Sequence, residues 1–462
     1  MSGDGGGLTE TGGLMGAGGA APAESWRRRT DWRKETGEGY MPSGREITPE
    51  AERIVRYVNR DRLWQRHMEL ARFGARSDGG VNRQALSAEE IAARAHLIGI
   101  ARARGFGVAT DPAGNLFFRL QGREPHLPPV LSGSHMDSQP TGGRFDGIYG
   151  VLAAVEVLEA IRDAGHVPRR SIEAVAWMNE EGSRFAPGMM GSEAFAGVRP
   201  LDEILGVRDA DGVTVAAALA TVNAAFPDVP LRELGQPVEA YVEAHIEQGP
   251  VLEAEGRVVG AVTGIQGKQT FRVTVTGEEA HAGTKPMAER RDALIAASAM
   301  VQRLHAIARS TAEDLMLTFG RFTVSPNAPS VVPAKVVFSI DLRHFDTGLM
   351  QGFGAAIPDL CAELAGGCTV VVEPLVDAPS LVFPEVLRER ICDIAAVLGH
   401  PAMDLPSAAG HDARHLHAIA PAAMIFIPCH QGISHHPTER AEPEHLHAGA
   451  RVLAALLVEL AG

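Results

Sequence analysis

The residues with the most chemical potential lie in four short pieces of the chain: His135 with Asp146, Glu180 with Glu181, His245 with Glu247, and His435 with Glu439. Imidazole and carboxylate together suit a hydrolytic metal centre, which mixes nitrogen and oxygen ligands, keeps a position open for water and orients its ligands through neighbouring hydrogen bonds. A chain with 18 histidines places most of them on surfaces or in ordinary hydrogen bonds. These stand apart because each follows a strand-like apolar run and is flanked by Gly, Ser or Pro. The adjacent Glu180 and Glu181 would repel unless a cation neutralised one of them, which leaves the other free to act as a general base at a water molecule.

Elements that would position these groups can be read around them. Pro129 to Leu131 enters the stretch Leu131–Gly147 as a buried strand, Ile148 to Ile161 leaves it as a helix, and glycines between them let the backbone fold back. In an open α/β sheet, ligands bind in the crevice beyond the carboxyl ends of the strands, so position and chemistry agree. Ser171 to Trp177 reads as a strand ending in MNEEGSRF, Val238 to Ala244 as one ending in HIEQG, and Ala423 to Pro428 as one leading to GISHHPTE. Upstream, Ile54 to Phe73 has helical spacing, and Ser87 with Glu90 forms a capping box for a helix running to Gly105. A hairpin pairs Phe106–Thr110 with Leu116–Leu120 around a turn at Asp111 to Asn115. Val213 to Phe226 is amphipathic.

From about Gly264 the pattern changes. Strand Thr270–Val275, helix Pro286–Ile307, strands Leu315–Val324 and Val331–Leu342, helix Leu349–Leu364 and strand Cys368–Val372 give the order βαββαβ, a ferredoxin-like unit let into a larger domain. The fold expected is α/β: a catalytic domain with a mixed, mostly parallel sheet flanked by helices, interrupted by that unit. The spans are 1–46 for a disordered Gly-rich tail, 47–263 and 375–462 for the catalytic domain, and 264–374 for the inserted one. Helix Pro384–Leu398, a His-rich loop Gly410–His417 and a helix from about Pro443 complete the chain.

With 462 residues, two domains and a tail are the natural expectation. Lys+Arg 43 against Asp+Glu 57 gives a net charge of -14, which disfavours nucleic acid or an anionic membrane as partner and favours a small-molecule substrate. The basic patch Arg27 to Arg33 reads as a solvated flanking segment. Cys361, Cys368, Cys392 and Cys429 have neither zinc-ribbon nor disulfide-framework spacing, no apolar run is long enough to span a membrane, and no signal or transit peptide is evident, so a cytoplasmic location is expected.

The blocks SHMDSQPTGGRFDG, NEEGSRFAPGMMGS, AHIEQGPVLE, GIQGKQTFRVTVTGEEAHAGTKPMAERRDA, SVVPAKVVFSIDLRH, AAGHDA and GISHHPTE resemble, in that order, the hydantoinase/carbamoylase branch of the M20 metallopeptidase clan. The likeness runs from about Leu63 to the C-terminus. It implies two divalent ions (Zn, Mn, Co or Ni), with His135 and His245 on one, Glu181 and His435 on the other, and Asp146 bridging both. Asp137 would orient the His135 ring from behind, and Glu180 would be the general base. His281 would reach the site, often across a homodimer formed through the lid domain, and donate to the developing oxyanion. Arg343 would clamp the substrate carboxylate, and Gln248, Gln266, Asn327 and His411 would contact or border the substrate.

The activity implied is hydrolysis of the carbamoyl C–N bond of N-carbamoyl-L-amino acids or related ureido acids. The alternatives are a β-ureidopropionase or allantoate amidohydrolase, an aminoacylase or dipeptidase of the same clan, and a non-catalytic binding protein with this fold. Two departures bear on the substrate rather than the metals. Ser330 to Ala334 reads SVVPA where many members have NVVPG, and Lys285 stands where Thr is usual.

Overall fold

The computed structural model describes residues 44–462. The basic patch Arg27–Arg33 and all but the last residues of the expected tail 1–46 lie outside that range. Within it, the chain forms two large sheets of different character and a two-stranded ribbon.

Six strands come first: β1 (Gly107–Thr110), β2 (Leu116–Leu120), β3 (Val130–His135), β4 (Ile172–Trp177), β5 (Ala240–Ile246) and β6 (Val259–Ile265). Seven follow in the inserted unit: β7 (Gly267–Thr276), β8 (Ala280–His281), β9 (Met316–Thr318), β10 (Phe322–Ser325), β11 (Val331–Val332), β12 (Lys335–His344) and β13 (Thr369–Ala378). The chain then returns with β14 (Leu381–Val382), β15 (Ala402–Ser407) and β16 (Ala422–Ile427).

The large sheet has the order β1-β2-β4-β3-β5-β16-β6-β14, with β15 beside β6. Its centre, β4-β3-β5-β16, is parallel, while β1, β2, β6 and β14 add antiparallel pairings on the flanks. Strands β3, β4, β5 and β16 are buried along their whole length, as expected of parallel strands covered on both faces. The helices Ile148–Asp163 and Pro443–Ala461 supply much of the cover on one face, sharing an apolar core with Val130, Ile172, Ala244 and Ile425. Four neighbouring parallel strands necessarily present their carboxyl ends along one edge, a few ångströms apart. Sequence segments separated by hundreds of residues are brought together there.

The smaller sheet, β10-β12-β7-β13 with β9 beside β12, is antiparallel. Buried and part-exposed residues alternate along β12, and the inward set Val336, Phe338, Ile340 and Leu342 packs with Met300, Leu304 and Ile357 of the helices Ala293–Thr311 and Thr347–Glu363. This is the βαββαβ order, with local differences. Leu315–Val324 is divided into β9 and β10, with Ser339 of β12 bonded to Arg321 in the gap by both its amide and its hydroxyl. Val331–Val332 turns away to pair with β8, because Pro333 has no N–H with which to continue the ladder into β12.

Three further expectations are corrected. Ile54–Phe73 is broken at Asn59, whose side chain accepts from Arg62 N and caps a separate helix, Arg60–Leu70. The helix expected from Pro286 begins only at Ala293, where Asp292 accepts from the amides of Leu294 and Ile295. Strands β6 and β15 have no counterpart in the sequence reading. Half of the capping box at Ser87 is present: its hydroxyl accepts from Glu90 N, but the Glu90 carboxylate accepts from Leu86 N, one residue before the expected partner.

Candidate active site

His135 is the last residue of β3 and His245 lies one residue before the end of β5, so both rings are carried by strands rather than by the loops that follow. Glu180 and Glu181 lie just beyond β4, Asp146 precedes the helix Ile148–Asp163, and His435 lies in the loop after β16. Among the described residues three triads of potential ligand atoms form: His135–Asp146–His245 and Asp146–Glu181–His435, with Asp146 common to both, and Glu243–His245–His411, which shares His245 with the first. Asp146 Oδ1 faces His245 Nε2 at 3.2 Å and His135 Nε2 at 3.8 Å, while Oδ2 faces His435 Nε2 at 3.2 Å. Glu181 Oε2 lies 3.2 Å from His435 Nε2, and Glu180 Oε2 lies 3.5 Å from His135 Nε2. All five expected ligands and the expected base are therefore gathered at the strand ends.

The tautomers follow from their partners. His135 Nδ1 is 3.0 Å from the Asp137 carbonyl and His245 Nδ1 is 2.9 Å from the Ile246 carbonyl. A carbonyl only accepts, so Nδ1 carries a proton in each ring, which leaves Nε2, the nitrogen facing Asp146, as the one available to a metal. Gly147 N donates to that nitrogen of His245 at 3.1 Å. Orientation of a ligand histidine through its other nitrogen is the arrangement metal sites require.

Asp137 plays a different part from the one expected. Its backbone carbonyl holds the His135 ring, with its carboxylate 3.6 Å away, and the two carboxylate oxygens accept from Glu180 N and Glu181 N, each at 3.2 Å. One residue thus fixes both the histidine and the neighbouring pair of glutamates.

The electrostatics fit a divalent cation. Burial, reinforced by the charges of Asp412, Glu181, Asp137 and Asp146, pushes the Glu180 carboxyl well above its ordinary range. Burial and the charge of Asp146 push Glu181 up to about 8, and burial with the charge of Glu90 takes Asp137 to about 7. Asp146 moves the other way, because hydrogen bonds and charges from the histidines outweigh its burial. The bond to Asp146 raises His435 to about 9. At His245 burial is outweighed by Asp146, giving about 8, whereas burial dominates at His135 and lowers it to about 4. The ion pairs of the cluster join carboxylates to histidines only. Crowded acids that share protons with imidazoles in the absence of metal are the donor set a divalent cation would occupy by displacing those protons.

Further residues support the cluster, and of these Gln139, Ser434 and Glu243 were not singled out by sequence. Glu439 Oε1 accepts from Phe145 N at 2.8 Å and Asp146 N at 3.0 Å, so it fixes the shared ligand instead of joining it. Gln139 donates to both oxygens of Glu181, from N at 3.2 Å and Nε2 at 2.8 Å, and Ser434 Oγ donates to Asp146 Oδ2 at 2.6 Å. Glu243 accepts from Ser134 Oγ and Ala413 N beneath the site. Glu247 caps the turn at Val251 and Leu252 and takes no part in the cluster. The backbone is itself constrained: His435 has φ 55°, a left-handed conformation uncommon for a side chain with a Cβ. Gly147 has φ 65°, and a Cβ there would meet the His135 ring at 2.2 Å.

The expected substrate contacts divide into two groups. Gln248 Nε2 donates to Asp146 Oδ2 at 2.9 Å, and the His411 ring lies against His245 with centroids 4.6 Å apart while its Nε2 is 2.9 Å from Ser407 Oγ. Gln266 Nε2 donates to the Ala408 carbonyl, as does Arg343 Nη1 at 3.2 Å, and the rest of the Arg343 fork grips Asp341. His281 and Asn327 are not brought to the cluster. His281 is exposed and accepts from Gly283 N, and Asn327 is exposed in the loop before β11.

A histidine–carboxylate cluster at the strand ends of an α/β sheet, with a second sheet inserted in the chain, is the arrangement of a metallohydrolase of the M20 type. The chain belongs to Peptidase family M20/M25/M40, which it matches over residues 131–459, and divalent-metal binding comes with that membership. Within the family it is 37% identical to an N-carbamoyl-L-amino-acid amidohydrolase of Rhizobium meliloti, over 88% of this chain and 97% of that one. It is 36% identical to the allantoate amidohydrolase of Escherichia coli strain K12, covering 85% of this chain and 96% of the relative. The crystal structure of an amidase of the hydantoinase/carbamoylase family from Burkholderia vietnamiensis superposes with a TM-score of 0.80 at 42% identity, covering 87% of this chain and 97% of the other. No helix among the described residues is long and apolar enough to cross a membrane.

Proposed function

We propose that this chain is a metal-dependent amidohydrolase that cleaves the carbamoyl C–N bond of N-carbamoyl-L-amino acids or related ureido acids, releasing amino acid, carbon dioxide and ammonia. The observation that carries the proposal is the pair of triads sharing Asp146, with a further carboxylate, Glu180, beside them. Two ions are the natural complement of such a set: His135, Asp146 and His245 would hold one, and Asp146, Glu181 and His435 the other. Zinc, manganese, cobalt and nickel all suit these ligands. When bound, such cations supply Lewis acidity and make water a stronger acid.

The remaining work falls to the protein. Glu180 takes the proton of the attacking water on its carboxylate and returns it to the leaving nitrogen. Arg343, held in orientation by Asp341, offers its fork to the substrate carboxylate. His281 donates to the oxygen that becomes negative. It cannot do so from the position it holds in a single subunit, so it acts after closure of the smaller domain or from a second copy of the chain. Dimerisation through the smaller domain is supported by β13, which pairs on one side only and exposes Val371 and Leu375. Four free cysteines suit a reducing compartment, and we place the protein in the cytoplasm.

The test is ammonia release from an N-carbamoyl-L-amino acid, N-carbamoyl-β-alanine and allantoate, with manganese, cobalt, nickel and zinc supplied in turn. N-carbamoyl-L-amino acids should be the best of the three. Cleavage of N-acyl amino acids or dipeptides without ammonia release would instead favour an aminoacylase or peptidase.

A further inference from the structure

The polypeptide crosses between the two sheets twice, and both crossings are short. Only Gln266 separates β6 from β7, and only Pro379 and Ser380 separate β13 from β14. They run side by side, so that a Cβ at Gly267 would lie 3.0 Å from Ser380 N. Any change in the angle between the domains must be absorbed in these few residues.

Arg414 bonds to both crossings. Its Nη1 donates to the Pro379 carbonyl at 2.5 Å and its Nη2 to the Gln266 carbonyl at 2.6 Å. The residue begins on a firm base: it lies in the short helix Ala413–Leu416, where Ala413 N donates to Glu243 at 2.8 Å and Asp412 accepts from Ser192 Oγ at 2.5 Å. Three residues earlier, His411 packs against His245 at the floor of the site. Arg343 of the smaller domain lies close by, reaching the Ala408 carbonyl across the same junction. A guanidinium is rigid and presents N–H groups on separate nitrogens, which lets one side chain span two carbonyls in a fixed geometry, whereas the donors of an ammonium all leave a single atom.

We propose that Arg414 is the hinge pin of the smaller domain, a positioning residue that fixes the angle at which β7 and β13 leave the catalytic sheet and so holds Arg343 in register with the substrate. The part concerning substrate rests on the function proposed above. The part concerning the hinge does not.

The experiment uses the full chain loaded with manganese, as wild type, Arg414→Ala and Arg414→Lys. Hydrogen–deuterium exchange is read in peptides covering 264–268 and 378–382, metal content is measured, and kinetics are run with N-carbamoyl-L-alanine. In Arg414→Ala the two crossings should exchange about tenfold faster or more and KM should rise by about tenfold, with metal content unchanged and kcat much less affected. Arg414→Lys should fall between the two. Wild-type exchange at both crossings in Arg414→Ala, or a lowered kcat with unchanged KM, would overturn the proposal. A wild-type protein inactive on carbamoyl substrates would count against the function proposed above, while the exchange result would still decide the role of Arg414.

Discussion

Asp146 and His281 sit at opposite extremes of constraint. The carboxylate of Asp146 is buried, receives Gln248 Nε2 and Ser434 Oγ on one oxygen, faces three histidines and has its own N–H fixed by Glu439. His281 stands exposed on a two-residue strand, and its bond to Gly283 N holds the ring from within its own loop. Groups that hold cations must be in place before substrate arrives, because misplacement leaves crowded buried charges. A group that meets charge only as it develops can be brought in later, by closure or by another subunit.

That contrast can be pressed hardest at the base. Glu180→Gln keeps the shape of the site but cannot carry the proton, so turnover should fall by about 10²–10⁴-fold with metal content at the wild-type level. Loss of metal instead would make Glu180 a ligand. His281→Ala should lower kcat by about 10²–10³-fold while leaving metal affinity and melting temperature unchanged. Mixing His281→Ala with Glu180→Gln subunits should recover activity if the histidine acts across a dimer, and should not if it acts within its own chain.

Gly147→Ala attacks the other side of the comparison. The added methyl would displace the His135 ring, and metal affinity measured by chelator competition should drop by about 10–100-fold with the fold intact. Unchanged affinity would mean that the floor is more yielding than described.

The smallest effect concerns pH. Glu181, Asp137, His245 and His435 all have folded-state values raised above their ordinary ones, to about 8, 7, 8 and 9. The folded chelated protein therefore binds more protons than the unfolded chain, so stability falls as pH rises through these values. His135, lowered to about 4, works in the opposite sense only between about pH 4 and 6.5. Between pH 6.5 and 9 the melting temperature of the chelated protein should fall as pH rises, and divalent metal should reverse the loss.

His135, His245 and the Glu180–Glu181 pair were legible because each sits at or just beyond the end of a buried parallel strand, a strong pattern, whereas the sharing of the ligands between two ions was marked by resemblance to a family. The work of Asp137 and Glu439 was harder to read, since a carboxylate that serves backbone amides depends on which amides the fold brings near it. Strand β6 escaped notice because Gly260, Ala261 and Gly264 weaken its β-character, and β15 because Asp404 and Pro406 interrupt it. Asn59 was read as part of a helical run although it caps a new helix. His281, Arg343 and Asn327 were marked by resemblance to a family rather than by any local pattern, and in one chain only Arg343 comes within reach of the catalytic domain.

The central claim is that two cations share Asp146 and that catalysis depends on them. Fully chelated protein should be titrated with manganese while bound metal per subunit and ammonia release from an N-carbamoyl-L-amino acid are followed together. The account predicts no release without metal, saturation at about two ions per subunit, and activity that rises as the second site fills. Full activity in the chelated protein, or saturation with none at any metal content, would contradict it.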